Sequence, residues 1–102
     1  MIRHIVIFKL KEFYSDSERT EARQEVASTF RSLIGQIPQI RQYDVEICLE
    51  TGPGNGDILI DSTFDSLEDL KAYQAHPAHQ EAVQTSRNWT EHKIIGDYSF
   101  EK

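Results

Sequence analysis

The feature that most limits the fold of this chain is the order in which two hydrophobic periodicities follow one another. Period two sends alternate side chains to opposite faces of a strand, whereas apolar residues at i, i+3 and i+4 line one face of a helix. In residues 2–10, Ile2, His4, Val6, Phe8 and Leu10 fall on one side and Arg3, Ile5, Ile7 and Lys9 on the other. That is a strand, and Ile5 and Ile7 make its second face partly apolar. Ser15-Asp16-Ser17-Glu18 has the spacing of a helix capping box. Ala22, Val26, Phe30, Leu33, Ile34 and Ile37 then recur at helical spacing. Pro38 predicts that this helix ends at or just before Ile37.

Period two returns over residues 41–50, with Tyr43, Val45, Ile47 and Leu49 set against Asp44, Glu46 and Cys48. Gly52-Pro53-Gly54-Asn55-Gly56-Asp57 reads as a loop, and residues 58–64 as the third strand, so the pair forms a hairpin. Ser66 is placed to cap a second helix in which Leu67, Leu70 and Tyr73 share a face. Pro77 interrupts it, and a further helical stretch is predicted over about 78–90. In residues 93–100, Ile94, Gly96, Tyr98 and Phe100 alternate with Lys93, Ile95, Asp97 and Ser99, which predicts the last strand.

The order is β-α-β-β-α-β, with no repeat or linker, so residues 1–102 read as a single domain. Right-handed crossovers turn that order into an α+β, ferredoxin-like plan, one four-stranded antiparallel sheet with helices on one face. The other face lies open and carries Ile5, Ile7 and, on this phasing, Ile95. A half-apolar open face calls for cover, and a second copy of the chain is the simplest, so a homodimer through the open sheet face is expected.

Several function classes are disfavoured by charge and composition. The net charge is −6, from 17 acidic and 11 basic residues, with no basic cluster for a phosphate backbone, so nucleic acid is not an expected partner. No window approaches a membrane span, and the charged N-terminal strand does not read as a signal peptide, so a cytoplasmic location is expected. The single Cys48 lies in a strand-like run and reads as a structural thiol. No thiol or carboxylate completes a metal shell around the histidines, and the glycine-rich stretch joins strands rather than opening a helix. Neither a metal nor a cofactor is expected.

What chemistry the chain carries is concentrated in Tyr73-Gln74-Ala75-His76-Pro77-Ala78-His79, which holds two of the four histidines. His76 precedes proline, the position of a helix N-cap. His79 is the leading catalytic candidate, because an imidazole can remove an acidic C–H proton beside a carbonyl at neutral pH. Its alternative is a helix-start residue bonded to backbone. Tyr73 can donate to a developing enolate oxygen, or it can be a core aromatic with its hydroxyl at the rim. His4, on the apolar face of the first strand, lines a pocket or is a core histidine that needs a partner. His92, at a helix end, reads as solvated.

These residues resemble the stress-responsive α/β-barrel domain family. The likeness is carried by Met1 to Leu10, by Ile37-Pro38, by Ser62-Thr63-Phe64-Asp65-Ser66, by the Tyr73 to His79 run and by Asp97-Tyr98. The resemblance implies a dimeric α+β barrel with a pocket between the sheet and the helices of each subunit. In a plant member, a polyketide cyclase that closes a ring by intramolecular aldol condensation, a tyrosine and a histidine match Tyr73 and His79. By the same likeness His4 and Trp89 line the pocket. Ile58 stands where that cyclase has a histidine, and Phe30 where it has a tyrosine, so two polar contacts have become apolar. The expected function is thus acid–base chemistry on an apolar carbonyl compound, cyclase-like or lyase-like, by His79 and Tyr73 in a pocket lined by His4, Phe30, Ile58 and Trp89. The alternatives are a non-catalytic ligand-binding or stress-response module and, from fold alone, a cofactor-free monooxygenase.

Overall fold

The first strand organises the sheet. The computed structural model describes residues 1–12, 15–49 and 52–101, and in it β1 (Ile2–Leu10) buries His4, Val6, Phe8 and Leu10 on one face. β1 is flanked by β3 (Ile58–Phe64) and β4 (Thr90–Ser99), both antiparallel to it. β2 (Gln42–Ile47) pairs with β3, giving the strand order β2-β3-β1-β4. Three helices complete the domain: α1 (Asp16–Arg31), α2 (Leu67–Ala75) and α3 (Pro77–Ser86). The ferredoxin-like βαββαβ plan is therefore the observed one, with Pro77 splitting the second helical region into α2 and α3.

Helix starts follow their caps. The Ser15 hydroxyl accepts from the Glu18 amide at 3.1 Å, and that of Ser66 from the Asp69 amide at 3.1 Å. The His76 ring accepts from the Ala78 amide at 3.0 Å, with Pro77 as the first residue of α3. Each bond satisfies one amide that has no partner within its helix.

Helix ends were harder to read. α1 stops at Arg31, six residues short of Ile37. Tighter turns follow, with the Leu33 amide on Phe30 O and the Gln36 amide on Leu33 O, and Gly35 takes a φ of +86°. That left-handed backbone is open to glycine and reverses the chain. Leu33 and Ile37 still reach the core, which is why their spacing read as helical, while Ile34 is exposed. α3 likewise stops at Ser86, so Trp89 lies in the turn before β4 rather than on a helix. β2 ends at Ile47 with Leu49 fully exposed, and Glu50, the last residue of the predicted strand, lies outside the described residues. Leu67 is exposed at the start of α2, which buries Leu70 and Tyr73.

The core lies between the helices and the sheet. Val26, Ala27 and Phe30 of α1 meet Phe8, Val45, Ile58 and Ile60 of the strands, and Tyr73 meets Phe64. Asp57 is buried in the loop before β3. Its carboxylate accepts from the Leu10 amide at 2.9 Å and faces Arg23 and Lys9. A buried carboxylate needs such partners, and these tie the glycine-rich loop to β1. Gly56 in that loop runs so close to β1 that a Cβ would collide with Ile7.

β4 corrects the expected composition of the open face. Residues paired across an antiparallel sheet point to the same side. Ile94 pairs with Ile7 and Tyr98 with Arg3, whereas Ile95 pairs with Val6. The open face therefore carries Ile5, Ile7, Ile94 and Tyr98, and Ile95 points to the helix side. The alternation over residues 93–99 is as expected, and only the pairing with β1 shows which of its two faces meets the helices. Ile95 is half-exposed even so, because the helices lie over β1, β2 and β3 and leave β4 uncovered. Among the described residues no helix is long and apolar enough to cross a membrane.

Candidate functional site

The break at Pro77 aims two aromatic rings at each other. Tyr73, on the last turn of α2, and His79, on the first turn of α3, have ring centroids 4.4 Å apart. Tyr73 also packs on Phe64, with centroids 5.0 Å apart, and lies edge-on to His4 at 6.1 Å. The structure thus brings Tyr73, His79 and His4 into one cluster on the helix side of the sheet. His76, bound to its own helix amide, and His92, exposed at the start of β4, stay out of it.

Tyr73 is 1% exposed, and its hydroxyl lies 2.8 Å from that of Tyr43 on β2. Burial pushes the Tyr73 phenol up to about 12, partly offset by the bond from Tyr43. Burial, and then the neighbouring Tyr73, push Tyr43 further in the same direction. Both phenols therefore stay protonated near neutral pH and act only as hydroxyl donors and acceptors.

His79 Nδ1 lies 3.2 Å from the Gln74 carbonyl oxygen. A carbonyl only accepts, so Nδ1 carries the proton and the lone pair is on Nε2, the tautomer of a general base. Burial lowers the His79 pKa, the Gln74 carbonyl raises it in part, and the charge of Lys93 lowers it again, with smaller effects from His4 and His76. The ring is neutral at pH 7.

His4 is 2% exposed, and its Nδ1 bonds the carboxylate of Asp97, the residue directly opposite it on β4. A carboxylate on one ring nitrogen fixes the orientation of the imidazole, as in hydrolytic triads. The partner that a histidine on this face needed is therefore Asp97.

The apolar residues expected to line a pocket lie elsewhere along the sheet. Ile58 pairs with Phe8, four residues along β1 from His4, or roughly 13 Å at the usual strand rise. Phe30 packs on Phe8 with centroids 5.0 Å apart. Both are closed into the core, at 0% and 1% exposure. Trp89 is half-buried against the edge of the core. Two surface grooves have other walls: one of about 700 Å³ runs between the glycine-rich loop and Ile7, His92 and Ile94, and one of about 290 Å³ lies between α1 and α3. No group of three or more His, Cys, Asp or Glu among the described residues is placed to hold a metal. Cys48 is half-buried, and burial, then Asp57, raise its thiol pKa, as suits a structural thiol.

Three residues of the cluster were not singled out from sequence. Tyr43 read as one more inward strand residue. Asp97 and Lys93 needed the pairing of β4 with β1, which sets Asp97 beside His4 and Lys93 beside Phe8.

The sequence model of the stress responsive A/B barrel domain matches residues 2–100. The chain belongs to that family. An uncharacterised Streptomyces coelicolor protein is 38% identical over 98% of this chain and 100% of its own length. The olivetolic acid cyclase of Cannabis sativa is 26% identical, over 96% of this chain and 95% of its own. Among solved structures, a dimeric ferredoxin-like protein of unknown function from Bacteroides fragilis has a TM-score of 0.85 at 29% identity, covering 97% of this chain and 95% of that one. The hydroxynitrile lyase of Passiflora edulis shares the fold, with a TM-score of 0.76 at 19% identity, over 99% of this chain and 94% of its own.

The hydroxyl pair and the lowered His79 pKa each have a measurable consequence. Removing one hydroxyl by Tyr43→Phe or Tyr73→Phe strands a buried partner and is expected to cost about 1–3 kcal/mol. The double variant should cost less than the sum, and a urea double-mutant cycle reads the coupling. The unfolded chain binds the His79 proton more tightly than the folded one, so this contribution to stability is present above the unfolded value of 6.5 and is lost as pH falls through the lower folded value. Thermal melts should therefore show wild type losing more stability on acidification through this range than His79→Gln.

Proposed function

We propose that this member of the family is a small enzyme that moves a proton on an apolar carbonyl compound, with His79 as its general base. One observation carries the reading: the 3.2 Å contact of Nδ1 with the Gln74 carbonyl leaves the His79 lone pair on Nε2. Partial burial, which keeps the ring neutral, and the tilted Tyr73 ring 4.4 Å away support it. So does the 26% identity with a relative named as a cyclase.

In this mechanism His79 Nε2 takes the proton from a carbon beside the carbonyl. The C–H electron pair moves into the enolate, and the oxygen takes up the developing charge. With Tyr43 donating to Tyr73, the Tyr73 hydroxyl keeps its own proton for that oxygen. The imidazolium then returns its proton to the product. His4, held by Asp97, packs edge-on against Tyr73 and fixes the ring. Ile95 supplies apolar surface on the same side of the sheet, beside a core of Phe8, Phe30 and Ile58, with Trp89 at the edge.

A second reading, a ligand-binding module without chemistry, is favoured by the near-complete burial of Tyr73 and its engagement with Tyr43. Deuterium exchange from heavy water into phenylacetone, beside its carbonyl, separates the two. Wild type is expected to accelerate the exchange over buffer, and His79→Ala to lose about a hundredfold or more of that acceleration. Equal rates with wild type and His79→Ala would leave only the binding module.

The proposal includes a second copy of the chain over the open sheet face. Its support is the exposure of Ile94 and Tyr98 beside Ile5 and Ile7, and the dimeric state in the description of the Bacteroides fragilis protein. Light scattering should give twice the mass of one chain, and Ile94→Asp should shift it toward the monomer. A wild-type monomer at micromolar concentration would refute the dimer.

A further inference from the structure

A single chain leaves the candidate site without an outer wall. Neither of the two grooves described above touches His79 or Tyr73. Ile95, opposite Val6 and between the positions that face His4 and Phe8, is half-exposed, because the helices leave β4 uncovered. β4 is also an edge strand. Just beyond its end the Phe100 amide bonds the Met1 carbonyl at 2.9 Å, so by alternation the amides of Lys93, Ile95, Asp97 and Ser99 point away from β1, toward the free edge. A long bare edge invites another strand.

Exposed apolar side chains mark both edges of the sheet. Among the described residues seven large ones are exposed, and five of these lie on or just beyond the edge strands: Ile94, Ile95 and Tyr98 of β4, and Ile47 and Leu49 at the end of β2. Contact between open faces accounts for Ile94 and Tyr98. It does not cover Ile95, nor Ile47, which pairs with the buried Ile58 and so lies on the helix side. Leu49, two residues further on, is fully exposed. Upstream, the Val45 carbonyl accepts from Arg31 of α1 at 2.6 Å, so the end of β2 is the part left free.

Strand direction lets one contact satisfy both edges. Each neighbouring pair in the order β2-β3-β1-β4 is antiparallel, so β2 and β4 run in opposite directions. A twofold axis along the strands preserves direction. It sets β2 of one copy antiparallel beside β4 of the other, twice, while the open faces meet. An axis across the strands would lay β4 over β4 and leave every edge bare. We propose that the second copy covers β4 with the end of its own β2, so that the partner's Ile47 and the partner's Leu49 lie against Ile95 and wall the candidate site. This arrangement rests on the dimer and the site proposed above, and it adds the residues that each chain lends to the other.

Disulfide trapping tests the pairing. In a Cys48→Ser background, a chain carrying Leu49→Cys and Ile95→Cys should oxidise to a covalent dimer, and a chain with either cysteine alone should not. The two positions sit at opposite edges of the sheet, three strand spacings or roughly 14 Å apart, beyond the reach of a disulfide within one chain. In light scattering, Ile95→Asp and Leu49→Asp should shift the mass toward the monomer, as Ile94→Asp does, whereas Leu67→Asp, at an exposed apolar residue of α2, should not. No covalent dimer, or loss of the dimer in Ile94→Asp alone, would overturn the edge pairing while leaving the face contact, and a wild-type monomer would remove both. Titration calorimetry with phenylacetone reads the wall. Leu49→Ala, still a dimer, should bind about fivefold or more weaker than wild type. Unchanged affinity in that variant, or no binding by wild type at millimolar concentration, would exclude the partner from the site without affecting the trapped dimer.

Discussion

β4 runs along β1 in one register, and the site exists only in that register. His4 meets Asp97, Val6 meets Ile95 and Phe8 meets Lys93, all on the side of the helices. Side chains alternate with period two, so a slip of one residue would send Asp97, Ile95 and Lys93 to the opposite face. It would leave His4 buried without its carboxylate and turn a lysine toward the apolar open face. The His4–Asp97 hydrogen bond and the burial of the even-numbered residues of β1 therefore hold the same register from two directions.

Around that seam the protein spends little of its polarity inside. The buried hydroxyls of Tyr43 and Tyr73 satisfy each other, Asp57 is met by an amide and two basic side chains, and His4 is met by Asp97. Each pairing offsets a desolvation cost that would otherwise fall on a small core. The same burial shifts the proton affinities that give the site its chemical character. Two phenols are held protonated and one imidazole is held neutral, so donors and a base coexist at neutral pH.

The helix side of the sheet is unevenly covered. α1 and α2 close over β1, β2 and β3, and β4 is left bare on both faces. On the open side, the exposed Ile94 and Tyr98 continue the apolar strip begun by Ile5 and Ile7. On the helix side, Ile95 stands opposite Val6 and Lys93 opposite Phe8. One edge strand thus carries both the surface proposed for a second copy and the surface proposed for a ligand.

Much of this was legible in the chain because periodicity and capping are local. Period two located all four strands, Ser15 and Ser66 located two helix starts, and His76-Pro77 was read as a helix joint, which it is. Tyr73 and His79 were singled out for their chemistry, and the short turn between them brings their rings together. What failed locally was the end of α1, where Gly35 turns the chain before Pro38 does, and the choice of helix-side face for β4, which its pairing with β1 sets. The sequence by itself determined the order of elements and which strand faces are apolar, because side-chain alternation and helical spacing depend only on near neighbours. Only the tertiary structure decided that Tyr43 meets Tyr73, that Asp97 meets His4 and that Lys93 stands opposite Phe8. Tyr43 and Tyr73 are 30 positions apart and His4 and Asp97 are 93 apart, and the register of β4 on β1, a property of two chain segments at once, sets the contacts that β4 makes.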